Sequence, residues 1–124
     1  MEKKFNIELE SWFGVTKNIN EEVYTIIIEF TEFTGNFIKQ NFWHKTQKFK
    51  KKGNILQMEM QCGINRELIG WLFFWMYNCR VVQPQILKEY YDATAKAIVK
   101  MSNPNIPLVY KNFFTPLEPK SKPV

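Results

Sequence analysis

His44 is the only histidine in the chain, so a charge relay or a Cys–His nucleophile would have to be assembled around it. Such a base needs a third group to orient its ring. No G-x-S-x-G turn and no acidic partner at a suggestive spacing accompanies it. Gln47 does lie close by, and the pair suits hydrogen bonding at the entry to a strand, with Lys45 and Lys48 as flanking cations. His44, Lys45, Gln47 and Lys48 are therefore the candidate ligand-binding residues, and no catalytic residue is assigned. Cys62 and Cys79 form no C-x-x-C pair and neither has a histidine beside it, which is not the spacing of a zinc site. Free cysteines are among the most buried residue types, so both read as reduced core thiols. Glu8, Glu10, Glu21, Glu22 and Glu32 suggest no acid–base dyad, and no glycine-rich phosphate cradle is present. No metal or cofactor is expected.

The net charge of +5 is moderate, but five of the 17 basic residues fall in one stretch: Lys45, Lys48, Lys50, Lys51 and Lys52. Trp43 and Phe49 are interleaved with them. Cations among aromatics suit phosphate contacts and base stacking. They equally suit a solvated hairpin whose lysines discourage edge pairing. On the first reading Lys48, Lys50, Lys51 and Lys52 contact a nucleotide or a single-stranded nucleic acid.

These residues must be positioned by a small fold. A length of 124 residues fits one domain. With 45% apolar residues, including 11 Phe, 4 Trp and 5 Tyr, the chain can bury a core without metal or disulfide staples. Residues 5–18 read as a short helix or extended lead-in broken at Gly14. Residues 23–30 (VYTIIIEF) alternate as a strand with Tyr24, Ile26, Ile28 and Phe30 on one face, central because Ile27 on the other face is apolar too. Thr31 can cap a helix to Gln40 carrying Phe33, Phe37 and Ile38 at helical spacing, with Gly35 held by packing. Two extended runs, 43–52 and 55–62, meet at the Gly53-Asn54 turn. In the second, Leu56, Met58 and Met60 should be buried and Gln57, Glu59 and Gln61 exposed.

Asn65 then caps a helix to about Met76, with Ile64, Leu68, Trp71, Leu72 and Trp75 on one stripe and Asn78 as its stop. Residues 79–83 form an edge or final strand ending at Pro84, and residues 86–101 a last helix with Leu87, Tyr90, Tyr91, Ala95, Ile98 and Val99 recurring. The order predicts an α+β fold, a ferredoxin-like split βαβ unit (β-α-β-β-α-β) with an added C-terminal helix. Residues 1–22 form the lead-in and 23–102 the domain. Five of the six prolines lie in 103–124, a tail that docks in its earlier part and is disordered from 118. Trp71, Phe73, Phe74, Trp75 and Tyr77 surround the second helix on more sides than one sheet can cover, which marks Trp71, Phe74 and Trp75 as candidate interface residues.

The segments also fall into a family pattern. Residues 5–14 (FNIELESWFG) resemble the linker that follows the barrel of WYL-type bacterial transcriptional regulators, an F-D-x-E-x-Y-like stretch closing on S-F-G. VYTIIIEF with Thr31 resembles the V-x-L-x-F-[ST] strand that opens their C-terminal extension. Trp43 to Gln47 resembles its W/L-H-x-[ST]-Q signature. Glu67, Leu68, Trp71 and Leu72 resemble the E-L-x-x-W-[IL] helix, Arg80 to Pro84 the V-x-V-L-x-P strand end, and Leu87-Lys88-Glu89 the L-R-E-E helix start. The likeness covers residues 5–101 and lacks the family's helix-turn-helix and WYL barrel. Lys88 stands where Arg is usual, removing the planar fork that bidentate pairing needs. Glycine is missing from the helix-to-strand turn at Tyr77-Asn78.

The resemblance implies a non-catalytic regulatory or assembly module, working through self-association, effector sensing, or both. A homodimer or a regulator subunit is the expected partner state. The alternatives are a standalone small-molecule-binding domain or enzyme on the same layout, or a remnant of a split regulator. The start Met1-Glu2-Lys3-Lys4 lacks the apolar stretch of a signal peptide. The longest apolar run, residues 68–77, is half the roughly 20 residues a spanning helix needs. A cytoplasmic protein without membrane contact is expected.

Overall fold

Period-two alternation builds the sheet, and the computed structural model, which describes residues 12–108 together with Pro116 and Pro119, shows where it holds. Strand β1 (Tyr24–Thr31) buries Ile26, Ile28 and Phe30. Strand β3 (Ile55–Cys62) buries Leu56, Met58, Met60 and Cys62. The antiparallel register sets Ile26 beside Met60, Ile28 beside Met58 and Phe30 beside Leu56, so the two strands share one apolar face. On β3 the intervening Gln57 and Glu59 are half-buried and Gln61 is exposed, on the opposite face. The register expected from the alternation therefore holds.

Strand β2 (Lys48–Lys52) pairs with β3 across a two-residue turn in which Gly53 has φ +62. That left-handed conformation is one glycine adopts without cost. Strand β4 (Cys79–Gln83) pairs with β1 through a register shift between Ile27 and Ile28. The sheet order is β2-β3-β1-β4 with every neighbour antiparallel. Helix α1 (Glu32–Ile38) links β1 to β2, and helix α2 (Arg66–Phe74) links β3 to β4. This is the β-α-β-β-α-β order of the ferredoxin-like split βαβ arrangement, and α3 (Gln85–Lys100) is the added C-terminal helix. Ile38, Ile64, Leu68, Ile69, Leu72 and Leu87 close the core over the apolar sheet face. Each side chain so buried contributes roughly 1.5–3 kcal/mol.

Several boundaries differ from the sequence reading. Residues 43–47 form a turn instead of the start of β2, because their polar groups bond one another. Helix α1 turns Gly35 and Ile38 to the sheet, leaving Phe33 and Phe37 outside. A Cβ at position 35 would stand 2.7 Å from the Leu56 Cβ, so glycine here lets the helix lie on β3. Thr31 precedes α1 without bonding its amides and instead donates its hydroxyl to Asn78 Oδ1 at 3.2 Å. Helix α2 ends at Phe74, and Met76, with φ 53, takes the left-handed place expected of Asn78. The short 3₁₀ turn Met76–Asn78 follows. On α3, Leu87 is buried and Tyr90 and Tyr91 half-buried, but Ile98 and Val99 are exposed on the distal turns. Among the described residues no helix is long and apolar enough to cross a membrane. The linker-like residues 5–11, the tail's Phe113 and Phe114, and its end segment apart from Pro119 lie outside the described residues, while Pro116 is buried.

Candidate functional site

The turn between α1 and β2 brings His44 and Gln47 together. Gln47 Oε1 accepts from the Trp43 and His44 backbone amides at 2.7 and 3.1 Å, and its Nε2 donates to Asn41 O at 3.0 Å. His44 is buried; its Nδ1 accepts from Thr46 N–H at 3.2 Å and lies 2.8 Å from Thr46 Oγ1. Thr46 Oγ1 in turn accepts from Gln61 N–H at 2.8 Å, which ties the turn to β3. Trp43 Nε1 donates to Ile38 O at 2.8 Å and so satisfies a carbonyl at the end of α1. The W-H-K-T-Q segment is a knot that converts a helix end into a strand start. Lys45 and Lys48 stand exposed beside it. None of these four candidate ligand residues lines either of the two larger clefts.

Lys48, Lys50, Lys51 and Lys52 are all exposed on β2, an edge strand. Lys48 lies beside Glu59 and Lys50 beside Gln57 on the face away from the helices. Lys52 Nζ reaches Glu29 Oε2 at 3.9 Å and Gln57 Oε1 at 3.4 Å, and Arg80 Nε meets Glu29 Oε1 at 2.8 Å from the other side. The central strands present Thr25, Ile27, Glu29, Gln57, Glu59 and Gln61 to this face. Cations are thus interspersed with carboxylates on a sheet whose central rows carry no ring for a base to stack on.

Rings gather instead at α1 and α2. Trp71 lies against Phe13, Phe30, Trp43 and Trp75 at centroid distances of 5.1, 5.8, 5.1 and 6.1 Å. Trp75 continues the cluster to Phe37 at 5.7 Å and Phe74 at 4.8 Å. The tilted and edge-on geometries are those that aromatic quadrupoles favour. An open groove of about 650 Å³ runs over this cluster, walled by Phe13, Phe42, Trp43, Trp71 and Phe74 with Arg66 and Glu67 at its rim. Phe42 and Phe74 on its wall are exposed, as are Phe33 and Phe37 on α1 and Met76 and Tyr77 in the turn after α2, at between 51% and 88%. Of the expected interface residues, Phe74 is the outermost, while Trp71 and Trp75 are half-buried with their Nε1 atoms enclosed and, among the described residues, unpartnered.

The lead-in is pinned to α2 by two residues whose second roles the sequence reading missed. Asn65 Oδ1 caps α2 by accepting from Leu68 N–H at 2.8 Å. Its Nδ2 donates to Phe13 O, Thr16 O and Asn18 Oδ1 at 3.1, 2.9 and 3.2 Å. Glu67 Oε1 accepts from Val15 N–H at 2.9 Å and from the Thr16 hydroxyl at 2.8 Å. Complete burial of an asparagine follows from this satisfaction of both ends of its amide. Burial pushes the Cys62 thiol up to about 12 and the Cys79 thiol up to about 11. Both are protonated at neutral pH, where only a thiolate would be nucleophilic. Among the described residues no cluster of His, Cys, Asp and Glu could hold a metal ion.

No protein-family model matches the chain, and no curated protein matches it.

Proposed function

We propose that this chain is a non-catalytic assembly and sensing domain of the WYL-regulator kind, and that two copies join through the aromatic face of α1 and α2. The continuous exposed surface from Phe33 through Phe37, Trp75 and Phe74 to Phe42 carries this reading. Its four outermost side chains, Phe33, Phe37, Phe42 and Phe74, present on the order of 600 Å². That stands at the top of the range for the largest apolar patch of a monomer and approaches the roughly 800 Å² that one partner contributes to a standard interface. A symmetric pair is the commonest way to bury such a patch.

Three further observations support it. The residues that carry the WYL resemblance, Trp43, His44, Gln47, Glu67 and Trp71, knot the domain and build its aromatic face. His44, the sole imidazole, is buried within a turn, and both thiols are held protonated. The mixed charges around β2 fit a guarded edge better than a nucleic-acid platform. Sedimentation of the full chain tests the proposal: a dimer is expected, and Phe74→Glu, a change at an exposed position, should yield a folded monomer. A parent chain that sediments as a monomer at every concentration would sink it.

A further inference from the structure

Strand β4 is the sheet's second edge, and the helix that follows it does not seal against it. Between β4 and the first turns of α3 lies a cleft of about 450 Å³ lined by Cys79, Arg80, Val81, Gln85, Lys88, Tyr91 and Asp92. That volume falls within the range of small-molecule sites, roughly 300–1,000 Å³. Its walls combine an apolar strip, Val81 and the Tyr91 ring, with two cations and one carboxylate. The ring is held in place by stacking on Phe73 at 4.4 Å and 6°.

The charges are arranged unequally. Arg80 lines the cleft, but its Nε donates to Glu29 Oε1 at 2.8 Å, which commits its guanidinium to the sheet face away from the helices. Lys88 is half-buried, yet among the described residues its ammonium makes no ion pair and no hydrogen bond. Asp92 stands one helical turn further on, a spacing at which a Lys–Asp pair can close, but the two do not meet within 4.0 Å. Lys88 is thus the uncommitted cation of the cleft, with the Asp92 carboxylate set apart from it.

We infer that the cleft between β4 and α3 binds a small molecule through an oxyanion, a phosphate or a carboxylate, held by Lys88, with Tyr91 and Val81 against its body. The proposal supplies a location for the sensing half of the function proposed above and rests on that reading only for its biological purpose. Hydrogen bonds from ionised donors to an oxyanion are about twice as strong as neutral ones. Asp92 opposes the anion, so it limits affinity and favours a ligand with a donor, a hydroxyl or an amine, on that side.

The test is titration of the full-length chain with inorganic phosphate, a nucleoside monophosphate and succinate, followed by amide chemical shifts. Saturable shifts should centre on Arg80, Gln85, Lys88 and Asp92, and the better of the two oxyanion types distinguishes phosphate from carboxylate recognition. Lys88→Gln should weaken binding about tenfold, the loss of one charge-assisted contact. Lys88→Arg should retain or tighten it by restoring a planar fork, and Asp92→Asn should tighten it. Shifts spread equally over the β2 lysines, a Lys88→Gln chain that binds like the parent, or no saturable shift with any probe would each overturn the proposal. The Phe74→Glu monomer should bind as the parent does, so failure of the dimer and failure of the cleft are separable results.

Discussion

Cys62 ends β3 wholly enclosed, and a thiol in that position is costly to ionise. Its pKa rises from 9.0 to about 12 by desolvation. Above pH 9 the unfolded chain loses this proton while the folded chain keeps it, so the unfolded state binds fewer protons and stability falls as pH rises. The contribution is complete below pH 9 and is lost on the way to pH 12, at up to about 1.4 kcal/mol per pH unit. Cys62→Ala should therefore cost stability at neutral pH and yet give a shallower alkaline decline, measured by denaturant unfolding at several pH values. Parallel curves for parent and variant would show that this thiol does not govern the decline. Asn65 teaches a different lesson at the same scale. Its cap was legible because Asn before an apolar-periodic run is a local signal, whereas its grip on Phe13, Thr16 and Asn18 spans about fifty positions of sequence and leaves no periodic trace.

Among the elements, β1 and β3 were legible because one polar face and one apolar face force alternation, and the Gly53-Asn54 pair fixed the connection of β3 to β2. Helix α1 was not, since Phe33 and Phe37 have the spacing of a core stripe and only the close approach at Gly35 shows which side faces the sheet. The start of β2 was misplaced for a related reason: the hydrogen bonds of Gln47 hold residues 43–47 in a turn although their composition suits a strand. The same local logic governs the four lysines of β2. They extend from an otherwise open edge, and charge at an edge opposes the addition of another strand. Replacing Lys48, Lys50 and Lys51 by threonine should leave the fold intact but raise light scattering as concentration increases. Four phosphate contacts would instead make single-stranded oligonucleotide binding fall with salt at a logarithmic slope of about 3. A threonine variant as soluble as the parent, together with such a slope in the parent, would move these residues from edge protection to nucleic-acid contact.

The molecule as a whole has one well-filled core between a four-stranded sheet and its helices, and one aromatic face that the described residues leave open. The two are joined through Trp71 and Trp75, whose rings reach the core on one side and Phe37, Trp43 and Phe74 on the other. Association through this face should therefore stiffen the domain as well as bury it. Because only the folded chain can present the face, dimerisation removes folded monomer from the unfolding equilibrium and makes thermal stability depend on concentration. For a domain of this size a tenfold rise in concentration should raise the Tm by about 2–5 °C. Phe74→Glu places a charge where the partner would exclude water, so its Tm should be flat across the same range and converge with the parent's on dilution. Calorimetry at four concentrations of each chain decides it. A flat parent would mean that the aromatic face is not used between copies, and a sloping Phe74→Glu would place the interface elsewhere on the domain.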